Sequence, residues 1–105
     1  MTAASYYSDI PLGYAQSAAV DASTLISTLT FGNAAAAGIP NGTLLLLIQP
    51  QTQAIRWRDD GIAPTATVGY PLAVGAELRY TGNGRNQLRV ISQTAGAIVN
   101  VMAYA

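Results

Sequence analysis

The residues able to carry chemistry are few and close together: Arg56-Trp57-Arg58-Asp59-Asp60-Gly61, with Glu77 farther along. Asp59, Asp60 and Glu77 are the only acids after residue 21, so any acid–base reaction would have to use them. A glycosidase needs two carboxyls flanking one bond, whereas adjacent aspartates on an extended chain point to opposite faces. A calcium site needs six or more oxygen ligands, more than Asp59 and Asp60 gather from their neighbours. Turn chemistry explains both acids without either function. Gly61 accepts positive φ, an aspartate bonds its own backbone, and Arg56 or Arg58 supplies the counter-charge. Histidine and cysteine are absent, which excludes Ser-His and Cys-His nucleophiles, disulfides and ordinary zinc sites. The expectation is a protein that is not an enzyme and holds no metal or cofactor.

Trp57 is the only tryptophan. It alternates with Ile55, while Arg56 and Arg58 take the other side of an extended segment, the period-2 pattern of a strand with one covered face. This places Trp57 toward a core and leaves Arg56 and Arg58 for a partner protein or for an ion pair that fixes the following loop. A second use of Trp57 is a sugar-stacking platform with Tyr70 and Tyr80, although core filling is the commoner role of such aromatics. From Ile62 to Pro71, two prolines and a glycine among small residues predict an ordered, extended loop packed across the sheet.

Short strands must position this segment. Thr43 to Gln49 is apolar on both faces, as in a central strand covered on two sides. Pro50-Gln51-Thr52-Gln53 then turns the chain into the strand ending at Arg58, a predicted hairpin with Trp57 near the sheet centre. Upstream, Asp21 or Ser23 would cap a short helix, but Thr24, Ile26, Thr28 and Thr30 favour a strand from about Thr24. Gly32 to Pro40 reads as a small-residue loop. Glu77 to Thr81 alternates as a half-buried strand, and Gly82-Asn83-Gly84 is a sharp turn drawing on tolerance of positive φ. Leu88 to Ser92 and Ala97 to Tyr104 complete the set. With no convincing helix, the fold class is all-β: one antiparallel β-sandwich or jelly-roll-like barrel, residues 17–105, preceded by an extended N-terminal arm, residues 1–16. The arm carries Tyr6, Tyr7, Ile10, Leu12 and Tyr14, too much apolar area for a solvated tail. It lies either on a neighbouring subunit or as an edge strand of its own domain.

Composition narrows the partners. The 105-residue chain is half hydrophobic and only 10% charged, with zero formal net charge. That charge content is well below the usual quarter, and so neutral a surface favours association into a homo-oligomer or larger assembly. The lack of a basic excess argues against nucleic acid as a partner. The Met1 end has neither the basic nor the apolar region of a signal peptide, and the run Leu44–Ile48 is too short to span a bilayer, so no membrane partner is expected.

The run Arg56-Trp57-Arg58-Asp59-Asp60-Gly61, continued by Pro64-Thr65-Ala66-Thr67-Val68-Gly69 and Pro71-Leu72, resembles a recurrent signature of small virion proteins of tailed bacteriophages. Gly42-Thr43, Ile48-Gln49, Gly75-Ala76-Glu77-Leu78 and Asn100-Val101, with a tyrosine near the C-terminus, extend the resemblance from about Gly38 to Ala105. It implies a structural protein of the capsid, connector or tail. Combined with the uncharged β-domain, it leads to the expectation of a capsid decoration (cement) protein. Such a protein would sit on the virion exterior after assembly in the bacterial cytoplasm, a trimer or dimer bound to the major capsid protein. The alternatives are a carbohydrate- or receptor-binding module on a fibre and a minor connector or tail component.

Overall fold

The computed structural model describes residues 10–105. Eight strands follow in order: β1 (Pro11–Gln16), β2 (Thr24–Leu25), β3 (Leu45–Gln51), β4 (Ile55–Arg58), β5 (Tyr70–Leu72), β6 (Leu78–Tyr80), β7 (Arg89–Ser92) and β8 (Ile98–Tyr104). They form two antiparallel four-stranded sheets, ordered β1-β8-β3-β6 and β2-β7-β4-β5. Only β4 and β5 are consecutive strands in the same sheet; every other connection crosses between sheets. The result is a β-sandwich with a jelly-roll-like strand order.

One core lies between the sheets. Leu46 and Ile48 of β3 and Val99, Val101 and Ala103 of β8 meet Ile55 of β4 and Val90 of β7, with Ile26 and Leu88 closing one side. All but Val90, at 1%, have no exposed surface. Fully burying side chains of this size stabilises a fold by about 1.5–3 kcal/mol each before entropy is counted. Alternation produces this core directly, because β3 and β8 each send every second residue inward.

The predicted β3–β4 hairpin does not form. β3 pairs with β8 and β6, whereas β4 pairs with β7 and β5 in the opposite sheet. The crossing occurs at Thr52, whose φ is +71° and whose hydroxyl lies 2.5 Å from the Gly96 carbonyl oxygen. This is a rare backbone state for a β-branched residue. It turns the chain over, so that Ile48 and Ile55 face one core from opposite sides.

Of the two readings of the N-terminal region, the edge strand holds for Pro11–Gln16, which pairs with β8 as β1. Leu12 packs against the core, while Ile10 and Tyr14 are exposed. Tyr6 and Tyr7 lie outside the described residues. The strand expected from Thr24 is two residues long and passes at once into a 3-10 turn, Ile26–Thr28. Asp21 caps no helix. Its Oδ1 instead accepts the Gly96 N–H at 2.8 Å and the Ser92 hydroxyl at 3.2 Å, fixing the turn between β7 and β8.

Candidate functional site

Three aromatic rings converge where β4 ends. Trp57 sits opposite Tyr70 of β5 in the sheet register, and their rings stack with centroids 5.3 Å apart and planes at 23°. Tyr80 comes from the other sheet and meets Trp57 edge-on, 6.3 Å away at 81°. Offset-stacked and T-shaped pairs are the two geometries favoured by the aromatic quadrupole. Trp57 is half-buried against the core, Tyr80 is buried, and Tyr70 is 70% exposed. Trp57 therefore forms the rim of the core, with one aromatic neighbour on each side of the boundary with solvent.

The acids take separate partners. Asp59 Oδ2 accepts the Tyr80 hydroxyl at 2.6 Å, and the Tyr80 oxygen in turn accepts the Gly84 N–H at 3.1 Å. Burial first, and then the Asp59 hydrogen bond, push the Tyr80 phenol up to about 12. Asp60 faces Arg58 in a two-pronged pair, with Arg58 Nε donating to Oδ1 at 3.0 Å and Nη2 to Oδ2. Oδ1 also accepts the Ile62 N–H at 3.3 Å, the Asx arrangement of a turn, and Gly61 follows at φ +85°. The hydrogen bond from Arg58 holds the Asp60 carboxyl below its ordinary range, and the same bond raises Arg58. Glu77 is exposed and lines a different depression from the one that Asp59 and Asp60 share. No cluster of metal-ligating residues occurs among the described residues.

The arginines act within the chain. Arg56 Nε donates to the Ala66 carbonyl at 3.1 Å and Nη1 to the Gly69 carbonyl at 2.8 Å. These bonds hold the loop before β5 against the outer side of β4. That loop does not run extended across the sandwich: it folds back where Thr65 and Val68 exchange backbone hydrogen bonds, and from Gly61 to Val68 only Pro64 is buried. Pro64 has no N–H to give to a ladder, and Arg56 supplies donors for the carbonyls of Ala66 and Gly69.

Gly82 and Gly84 have a role that turn chemistry does not reveal. Neither has a positive φ. A Cβ at Gly82 would lie 2.8 Å from the Tyr80 hydroxyl oxygen, and one at Gly84 would lie 2.7 Å from it and 3.0 Å from the Asp59 carbonyl oxygen. These glycines make room for the Tyr80–Asp59 bond. Sequence spacing contains no sign of it, because Asp59 and Gly84 meet only through the fold.

Together, Trp57, Arg58, Asp59, Asp60, Gly69, Tyr70 and Pro71 line an open cleft of about 490 Å³. The fold also presents a second surface, the outer face of the first sheet. There Tyr14, Met102 and Leu47 are register neighbours across β1, β8 and β3. Beside them Asn100 forms a polar hub: its Oδ1 accepts the Tyr14 hydroxyl at 2.6 Å and Gln16 Nε2 at 3.0 Å, and its Nδ2 donates to Gln51 at 2.8 Å. β3 is thus central in its sheet but covered on one face only, with Leu47 half-buried and Gln49 exposed on the other. Leu47, Met102 and Tyr104 were not singled out by the sequence pattern. For Leu47 the signal was the unbroken run Leu44–Ile48, which has no polar outward residue until Gln49.

Comparison with protein-family models, with curated proteins and with solved structures gives no match for this chain.

Proposed function

We propose that this protein is a structural component of a bacteriophage virion, a capsid decoration protein that binds and stabilises the assembled major capsid shell from outside. The observation that carries the reading is the outer face of the first sheet. A sandwich strand ordinarily alternates apolar-in with polar-out, yet Leu47, Met102, Tyr14 and Tyr104 lie together on the outward side. Of these Tyr14 is exposed and the other three are half-buried, and the face also carries Gln49, Glu77 and Asn100. Partly exposed apolar side chains grouped on one face of so uncharged a domain suit a macromolecular contact.

The resemblance of the segment beginning at Arg56 to small phage virion proteins supports the major capsid protein as the partner. Recurrence of jelly rolls in viral capsids supports it by fold analogy alone. The mechanism is passive: copies of the protein, themselves dimeric or trimeric, bury the apolar strip against neighbouring capsid subunits and favour the assembled shell by linkage. It requires no catalysis, nucleic acid or membrane. Its site of assembly is the bacterial cytoplasm.

The test is reconstitution on shells lacking this protein. Added protein should saturate at a fixed ratio to capsid subunits and raise the temperature at which shells break open. Leu47→Asp, at the centre of the strip, should abolish binding while leaving the isolated domain folded. Undiminished shell binding by that variant would contradict the assignment of the surface.

A further inference from the structure

We infer that the cleft between Trp57, Tyr70 and the Asp59-Asp60 turn is a binding site for a neutral pyranose ring. The inference goes beyond the capsid role and rests on different residues. A sugar ring offers one flat C–H face and a rim of hydroxyls, so it needs an exposed aromatic face beside a few fixed polar groups. Tyr70 supplies the face. It is 70% exposed, yet its orientation is set by the stack on Trp57 and by its register opposite Trp57 in β5. An aromatic side chain held rigid and left open is not core filling, because the core ends at Trp57.

The polar groups are fixed as well. The Tyr80 hydroxyl holds Asp59 by Oδ2, and Oδ1 accepts no hydrogen bond from the described residues. It is an oriented acceptor for a sugar hydroxyl. Arg58 uses Nε and Nη2 on Asp60, while its Nη1 has no partner among the described residues and is an oriented donor. The Trp57 indole N–H likewise has no protein partner among these residues and is not among the sealed, unpaired polar atoms, so it opens to solvent. Both donors and the acceptor belong to residues lining the same cleft, whose volume of about 490 Å³ lies in the range of small-ligand sites.

Charge selects among sugars. Among the residues lining the cleft, Arg58 and Asp60 neutralise each other and Asp59 carries the remaining charge, whereas Arg85, near Tyr80, and Arg89, opposite Arg58 in the register, lie outside the lining. A carboxylated sugar would therefore meet repulsion and a neutral hexose or N-acetylhexosamine would not.

The single tryptophan makes the test direct, since the protein has one indole N–H resonance. The probes are the methyl glycosides of glucose, galactose, mannose and N-acetylglucosamine, with glucuronate as the anionic control. They are titrated to concentrations on the order of tens of millimolar, which reaches the affinity expected for one ring contact. The expected result is a saturable shift of the indole resonance with at least one neutral glycoside and none with glucuronate. Tyr70→Ala, at an exposed position with little bearing on folding, should weaken that binding by about tenfold or more, while Tyr70→Phe should retain it. Circular dichroism checks that both variants keep the wild-type fold. Absence of a saturable shift with every neutral glycoside, a preference for glucuronate, or binding unchanged in Tyr70→Ala would overturn the proposal. Because shell binding depends on the opposite sheet, either result here leaves the capsid experiment independent.

Discussion

The outer face of the first sheet and the cleft beside Trp57 are both open to solvent, but they are built by different rules. The first is made by register. Tyr14, Met102 and Leu47 are neighbours because β1, β8 and β3 pair in order, and any antiparallel sheet with apolar outward residues would make such a strip. The second is made by convergence. Tyr70 arrives after a loop held by Arg56, Tyr80 arrives from the opposite sheet, and two glycines clear space for a single hydroxyl. A regular surface suits a broad, flat partner, whereas a converged one suits a small ligand whose polar groups must be met individually.

The widest contrast is between the two faces of β3. Ile48→Ala, in the core, should lower unfolding stability by about 2–5 kcal/mol in chemical denaturation. Leu47→Ala, one residue away and facing outward, should cost less than about 1 kcal/mol in the isolated protein. Equal losses would mean that the outer face is already buried within one protomer.

Next comes the convergent region. Gly84→Ala should destabilise by about 1–3 kcal/mol, because the Asp59 backbone cannot yield to a Cβ. Tyr80→Phe in that background should recover part of the loss by removing the closest atom. No recovery would place the strain on the Asp59 backbone alone. Tyr80→Phe by itself has a distinct signature in alkali. A phenol whose folded-state value is raised to about 12 contributes stability that is fully present below the ordinary tyrosine value near 10. That contribution is lost as pH rises through the folded value. Wild-type stability should therefore fall more steeply than that of Tyr80→Phe between about pH 10 and 12, read from denaturation midpoints across that window.

The arginines give the smaller effects. Arg56→Ala removes two hydrogen bonds to loop carbonyls and should cost about 1–2 kcal/mol, with faster amide exchange in residues 65–69. Arg58→Ala should leave the melting temperature essentially unchanged at neutral pH, since its pair with Asp60 is exposed. What stabilisation that pair gives is present at neutral pH and lost as pH falls through the depressed Asp60 value.

The same division separates what was legible in the sequence from what was not. Alternation between Glu77 and Thr81 identified one strand, the runs Leu88 to Ser92 and Ala97 to Tyr104 read as two more, and the lack of any helical pattern led to an all-β sandwich. Period-2 reasoning also paired Trp57 with Ile55 and linked the acids to turn and arginine chemistry. It could not say which sheet each strand joins. Proximity along the chain suggested a β3–β4 hairpin, but Thr52 turns β4 into the opposite sheet, and nothing in the residues around it announces a positive φ. The glycines at 82 and 84 were legible as a turn but not as clearance for Tyr80, because their purpose depends on a hydroxyl and a carboxylate brought together by that crossover.

The most direct test of the proposed function is the copy number of this protein relative to the major capsid protein in purified virions, measured by quantitative mass spectrometry. A shell-covering decoration protein should be present at a ratio near one or a simple fraction of it. A trace ratio would move the protein to a connector, fibre or tail, and its absence from the particle would contradict the virion assignment outright.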